Sequence, residues 1–405
     1  MNRVSPKRLG DLINLKRGYD LPERIRVAGP YPVISSAGVS GSHNEYKVDG
    51  QGVVTGRYGT LGGMYFVEGK YWPHNTALYV QNFKGNDPKY VYYLLSCLGR
   101  IRTSTKSAVP GVNRNELHEM AVPAIENKKL QVAIRKVLEA IDKKIELNNR
   151  INAELEAIAE TLYDYWFVQF DFPDANGKPY KISSGEMVYN PTLKRKIPEG
   201  WAAGTLEDLG EIVGGSTPST QNSENFTSNG TPWITPYDLS NNQGNKFISR
   251  GAKDVSLKGI RDASLKRYPA GTVLLSSRAP IGYMAITRNE STTNQGFKSF
   301  IPSKGYSKEF IYYTVKDSIK AITQYASGST FKEISGATLK TVEIVLPKAK
   351  ITKAYTNRVQ PIFLRQDLIE KETEQLTQLR DWLLPMLING QITVSIPAIP
   401  LVEDA

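Results

Sequence analysis

Leu9-Gly-Asp-Leu-Ile-Asn-Leu-Lys-Arg-Gly18 and Leu206-Glu-Asp-Leu-Gly-Glu-Ile-Val-Gly-Gly215 are two versions of one phrase. Each reads as a short amphipathic element stopped by glycine, the residue that most readily ends a helix. Outward from them the same landmarks recur in the same order. Pro32-Val-Ile34 and Pro232-Trp-Ile234 open short strands, and Gly52-Val-Val-Thr-Gly-Arg-Tyr-Gly-Thr-Leu-Gly62 and Gly271-Thr-Val-Leu-Leu-Ser-Ser-Arg-Ala-Pro-Ile-Gly282 are β-rich runs breaking into a loop with one arginine. Asn75 and Asn294 follow at similar distances, and then the aromatic helical segments Tyr90-Val-Tyr-Tyr-Leu-Leu95 and Phe310-Ile-Tyr-Tyr-Thr-Val315. A polar loop, with Val112-Asn-Arg-Asn-Glu-Leu117 in one copy and Gly328-Ser-Thr-Phe-Lys-Glu-Ile334 in the other, leads to a strand ending at Pro123 or Pro347. A repeat this long is a duplicated domain rather than a solenoid unit.

Past each copy the hydrophobic period changes to seven. Ile141, Asn148, Leu155 and Leu162 form one stripe, with Ile151, Ile158 and Tyr165 three residues out of phase; Ile362, Ile369, Leu376 and Leu383 repeat the pattern, with Pro361 near its start. A helix from about Asn127 to Phe167 would be roughly 60 Å long. A lone heptad helix cannot bury its stripe, so the two are expected to pack on each other, with polar Asn148 helping to fix the register.

The predicted fold class is therefore α+β: two similar mixed α/β domains, separated and joined by two long helices packed as an antiparallel coiled coil, with pseudo-two-fold symmetry. The expected boundaries are 1–123 and 199–347 for the two similar domains, 124–170 and 348–390 for the helices, 171–198 for a linker and 391–405 for a tail.

The 405 residues carry a formal charge of +11, which favours a polyanionic partner, nucleic acid before membrane. Residues 1–123 hold 16 Lys and Arg against 9 Asp and Glu, and residues 199–347 hold 16 against 13, so the globular segments carry most of the excess. One cysteine, Cys97, rules out an internal disulfide and is expected to be a small buried hydrophobe. No apolar run approaches the ~18 residues that span a bilayer, so a cytoplasmic setting is expected.

Catalytic constellations are missing. No phosphate-binding Gly-x-x-x-x-Gly-Lys-Ser/Thr loop, dinucleotide fingerprint or nucleophile elbow occurs, and His43, His74 and His118 stand apart with no metal-ligand spacing. Asn190-Pro-Thr-Leu193 lacks the aromatic residue that would stack on a flipped base, and Asp171 and Asp174 lie in the predicted linker. Neither a catalytic residue nor a metal site is expected.

Two divergent domains, each followed by a heptad helix, resemble the specificity subunit of type I DNA restriction-modification systems. The carrying residues are Ile197-Pro-Glu-Gly-Trp201, Ser277-Arg-Ala-Pro-Ile-Gly282, Asn294-Gln-Gly-Phe297 and Gly328-Ser-Thr-Phe331 leading to Ile344-Val-Leu-Pro347. The first half departs from the pattern: it has no Pro-Glu-Gly-Trp entry, and Gly56-Arg-Tyr-Gly-Thr-Leu-Gly62 stands where the second has Ser-Arg-Ala-Pro-Ile-Gly.

The resemblance implies a non-catalytic subunit that serves phage defence, whose two target-recognition domains each read half of a split double-stranded DNA site. Two modification subunits would dock on the helices and methylate adenine from S-adenosylmethionine. Restriction subunits would add translocation and cleavage with ATP and Mg, none of these cofactors being held by this chain.

Arginine forks suit guanine and Asn or Gln amides suit adenine. The DNA-binding candidates are Arg57, Tyr58, Asn75 and Arg114 in the first domain, with Arg278, Asn294, Gln295, Thr330 and Lys332 in the second. As residues shared between copies, Arg57 and Arg278 read as phosphate or scaffold contacts, whereas Arg114, Thr330 and Lys332 lie in divergent loops suited to base readout. Shortening the first helix by a heptad should change the spacer between half-sites. The rival readings are a self-contained DNA methyltransferase or nuclease fusion, and a coiled-coil scaffold that binds no DNA.

Overall fold

The computed structural model describes residues 4–57, 62–98, 112–278, 280–324 and 333–394. The chain divides into two compact units, Met1–Ile145 with Glu374–Ala405, and Glu146–Thr373. Each unit combines mixed α/β structure with segments of two long helices, Lys128–Tyr163 and Ala349–Ile388.

In the first unit, strands Asn14–Arg17, Ala77–Asn82, Gly52–Gly56 and Met64–Val67 lie side by side in one sheet. A second sheet orders Gly38–His43, Tyr31–Ser35, Lys70–Pro73 and Val48–Asp49, its central pair parallel. Ser5–Arg8 pairs antiparallel with Ala121–Ala124, closing the domain on itself. Helix Pro88–Cys97 starts with Asp87 accepting from the Tyr90 amide and with proline in its first turn, where a missing N–H costs nothing. Tyr90 and Tyr93 are buried in it; Cys97 is only partly buried, less than the sequence suggested. Leu130, Ile134 and Leu138 of the first long helix share one hydrophobic core with Leu387, Ile388 and the sheet residues Leu15, Val53 and Leu78.

The second unit repeats the plan with additions. Gly210–Gly214, Lys298–Pro302, Val273–Leu275, Met284–Thr287 and Phe247–Ile248 make a five-stranded sheet; Phe226–Thr227, Lys253–Val255, Thr231–Ile234 and Thr292–Thr293 make a second. Ala202–Thr205 pairs with Glu343–Leu346 as the closing ribbon. The phrase Leu206-Glu-Asp-Leu209 owes its turn to a capping box: Asp208 accepts from the Thr205 amide at 2.8 Å.

Residues 171–198, expected to be a linker, are built into this unit. Met187–Asn190 and Arg195–Pro198 form a hairpin. Phe172 stacks on Tyr180 and on Trp201 at centroid distances of 4.7 and 5.0 Å. Sequence periodicity missed this because an aromatic stack held by turns has no period.

Both long helices differ in detail from the heptad reading. Asn127 caps the first, its side chain accepting from the Lys129 and Leu130 amides, and after Tyr163 the helix loosens into a π-helical turn at Asp164–Val168. The second begins at Ala349, so Pro361 lies well inside it rather than near its start.

Within the second unit Asn148, Asn152, Ala159, Tyr163 and Trp166 are buried, whereas Ile158 is 55% exposed. The stripe accompanying Asn148 and Leu155 therefore falls four residues on, at Asn152, Ala159 and Trp166, instead of three. Of the other stripe residues Ile369 is buried, and Ile141, Leu155, Leu162, Ile362, Leu376 and Leu383 are partly so.

A polar key stands beside this stripe, where Asn152 donates to the Gly244 carbonyl at 3.2 Å. Lys246, with a side chain 2% exposed, enters from the globular part and places its ammonium 2.6 Å from Glu156 and 2.7 Å from Gln366, donating also to the Tyr313 hydroxyl. The backbone amides of Lys246 and Phe247 donate to Glu370, which Arg288 also binds at 2.9 Å. Small and polar residues face inward there because partners for them are present.

Candidate nucleic-acid interface

In each unit the end of the parallel strand pair, a glycine and the tip of a central strand converge, and main-chain hydrogen bonds tie them together. In the first unit Gly18 lies so close to the His74 and Pro73 carbonyls that an added Cβ would sit 2.1 Å from oxygen. The Tyr19 amide donates to Pro73, the His74 amide to Ile34, the Arg57 amide to Thr76, and the Val112 amide to Arg57. In the second unit Gly215 has the same close approach, 2.2 Å from the Thr293 carbonyl. Here Ser216 donates to Thr293, Asn294 to Ile234, Ser277 to Gly296 and Ile334 to Ser277.

These matching knots set the register of the duplication. His74 corresponds to Asn294, Asn75 to Gln295 and Arg57 to Ser277. The pairings read from sequence, Asn75 with Asn294 and Arg57 with Arg278, are each one residue out. Likewise Ala121 opposite Arg8 matches Glu343 opposite Thr205, so Pro123 corresponds to Val345, not Pro347. Spacing in the sequence could not show this, because the copies' loops differ in length and only the ladder bonds count positions.

The first unit brings Arg57 and Asn75 to one edge. Asn75 donates to Asp20, whose carboxylate also pairs with Arg17 at 3.1 Å. Arg114 opens the short helix Arg114–Glu119, exposed and bonded to the neighbouring Asn115. Tyr58 lies outside the described residues. All three histidines serve structure: His118 accepts from the Leu15 amide at 2.9 Å, His43 from the Val27 amide at 3.1 Å, and His74 meets the Thr76 hydroxyl at 3.0 Å.

The second unit brings Arg278, Asn294 and Gln295 together; Thr330 and Lys332 lie outside the described residues. Asn294 accepts from the Gly296 amide at 2.9 Å, the turn-capping use of asparagine. Gln295 is exposed and accepts from the Thr217 hydroxyl. Arg278 pairs with Glu333 at 3.1 Å. Lys298 lies partly buried nearby, and burial, reinforced by the Arg278 charge and opposed by Glu333, holds its ammonium below the usual lysine range.

Tyr237, 70% exposed, crowns the helix Pro236–Asn241, whose Pro236 comes within 3.0 Å of a Cβ built on Gly296. Sequence reading passed over Tyr237, Glu333 and Lys298. The capping box in Thr235-Pro-Tyr-Asp238 was the available signal for the first.

Gly215→Ala should force the Ser216–Thr293 contact apart, at a cost of about 1–3 kcal/mol. Thermal unfolding together with a DNA-binding titration would read it; unchanged stability would mean that the close approach is not needed.

Among the described residues no group of three or more His, Cys, Asp or Glu could hold a metal ion, and no helix is long and apolar enough to cross a membrane.

Residues 1–157 and 198–378 match the family model of the type I restriction modification DNA specificity domain, and the chain belongs to that family. It is 44% identical over 194 residues to the type I restriction enzyme MjaIX specificity subunit of Methanocaldococcus jannaschii, covering 47% of this chain and 43% of that protein. Over 319 residues it is 30% identical to the HindI specificity subunit of Haemophilus influenzae, covering 66% and 68%. The chain thus spans less than half the length of the first relative and about two thirds of the second. Its fold is that of the type I restriction-modification S subunit from M. genitalium, with a TM-score of 0.62 at 15% identity over 95% of this chain and 96% of that one.

Proposed function

We propose that this chain is the non-catalytic DNA-reading subunit of a type I restriction-modification complex in the cytoplasm, each recognition domain, 1–123 and 199–347, reading half of a split duplex site. The observation that carries the reading is the repeated knot: matching main-chain bonds hold Arg57 and flank Asn75 in one unit, and hold Ser277 and flank Gln295 in the other. A common frame presenting different side chains is what two half-sites of different sequence need. The net charge of +11 supplies the attraction to phosphate.

The long helices would form an antiparallel coiled coil related by a pseudo-two-fold axis. In its support, within the second unit Asn148 donates to Glu372 at 2.9 Å and Gln366 to the Asn152 carbonyl at 3.4 Å, so numbers rise on one helix as they fall on the other. In the first unit Arg380 pairs with Asp142 at 3.3 Å. Exposed Leu364 and Leu368 in one unit, and exposed Leu379 and Trp382 in the other, are apolar footholds for two modification subunits. S-adenosylmethionine would belong to those subunits, and ATP and Mg to restriction subunits.

Purified chain, alone and with modification subunits, should be incubated with labelled S-adenosylmethionine and duplex DNA. Methyl transfer is expected only with the partners, together with salt-sensitive DNA binding by the complex. Transfer by the chain alone would establish a self-contained methyltransferase, and absent salt-sensitive binding would leave only a scaffold.

A further inference from the structure

Arg278 has a geometry that its sequence position hid. Because Arg57 corresponds to Ser277, Arg278 is not the shared arginine of the two copies, and the reason for treating it as common scaffold disappears. Its backbone faces Glu333 in an isolated antiparallel bridge, one residue beyond the Ile334–Ser277 hydrogen bond that closes the knot. Both ends of the pair are therefore fixed by main chain rather than by flexible loops.

The side chain is held at its inner end. Nε lies 3.1 Å from the Glu333 carboxylate, an ion pair without hydrogen-bond alignment, and is shielded from solvent, yet the side chain as a whole is 43% exposed. With Nε buried, the donors left to face a ligand are the two terminal amino groups. A planar guanidinium paired with a carboxylate on its Nε side, in a side chain that is still partly exposed, suits paired donation to two acceptors on one base edge, the arrangement guanine O6 and N7 present in the major groove.

A phosphate clamp would be served as well by a mobile lysine and would gain nothing from a bracing carboxylate, whose charge repels phosphate. Lys298, close enough to feel both charges, leaves the cluster one positive charge in excess.

We infer that Arg278 reads a guanine in the half-site of the second domain, with Glu333 as the positioning residue that aims its fork. The inference rests on the DNA-reading function proposed above.

The test uses the assembled complex of this chain with its modification subunits and a set of duplexes in which each base pair of the methylated site is changed in turn. The wild type should require guanine at one position of one half-site. Arg278→Gln should lose discrimination at that position alone, by on the order of tenfold to a hundredfold, with the other half-site as internal control. Arg278→Lys should keep part of it. Glu333→Gln should weaken discrimination at the same position and nowhere else, an effect that a merely structural role would not produce.

A uniform loss of affinity with a shallower salt dependence would make Arg278 a phosphate contact and overturn the inference, as would unchanged preferences. A wild-type complex without any base preference would overturn the underlying reading too, and is distinguishable because both half-sites would then be indifferent.

Discussion

On the DNA-reading function proposed above, deleting residues 141–147 together with 373–379 is expected to shorten the spacer of the preferred DNA site and to leave both half-site sequences unchanged. Each deletion removes one heptad and so keeps the phase of the stripes, joining Ala140 to Asn148 and Glu372 to Arg380. Seven residues of helix are about 10 Å, or about three base pairs at ~3.4 Å each. The original site should then lose bivalent engagement, a drop of about a hundredfold or more in binding and methylation. Sequencing methylated positions in cells carrying the shortened chain reads the outcome; an unchanged spacer would sink the idea that these helices set the distance.

Lys246→Met is expected to destabilise the second unit by about 2–4 kcal/mol, because Glu156 loses its closest cation and keeps only Lys316, at 3.0 Å. On the scale of a domain this size the melting temperature falls by on the order of 10 °C. Pairing it with Glu156→Gln should recover part of the loss, and the double-mutant cycle isolates the coupling.

The pH dependence has a definite sign. Burial opposes ionisation of Glu156, yet the charges of Lys246 and Lys316 hold it down to about 2, so its contribution is full above its ordinary value of 4.5 and is lost as pH falls from there towards 2. Burial raises Glu370 and partly offsets this on the acid side. Lys246 is pulled down to about 8 by burial, so its charge costs stability below that pH, and the cost is relieved as pH rises from about 8 towards 10.5. Thermal scans of wild type and Lys246→Met across both windows test this; identical alkaline slopes would show that Lys246 does not titrate there.

Much of this was legible in the residues. The doubled phrase at Leu9 and Leu206 is local, and its cause, a short turn feeding a strand, is local too. The heptad stripes gave the long helices because a single face must repeat at nearly helical period to be buried. Which residues fill the seam was less legible: Ile158 is exposed while Asn152 is buried and donates to the Gly244 carbonyl, 92 residues on, and so distant a partner leaves no trace in local period. Residues 171–198 misled for a related reason, since Phe172, Tyr180 and Trp201 cohere by stacking rather than by pattern.

For the candidate site the division is similar. Arg278, Asn294 and Gln295 could be picked out as chemically able to read bases, whereas Tyr237, Glu333 and Lys298 could not, because their relevance comes only from what stands beside them.

The sequence by itself determined the duplication, the two long helices and the lack of recognisable catalytic motifs, since these are properties of order, period and composition. Only the tertiary structure decided the register between the copies and the bracing of Arg278 by Glu333. Main-chain hydrogen bonds count residues across strands that are distant in the chain, and that count cannot be made until the strands have met.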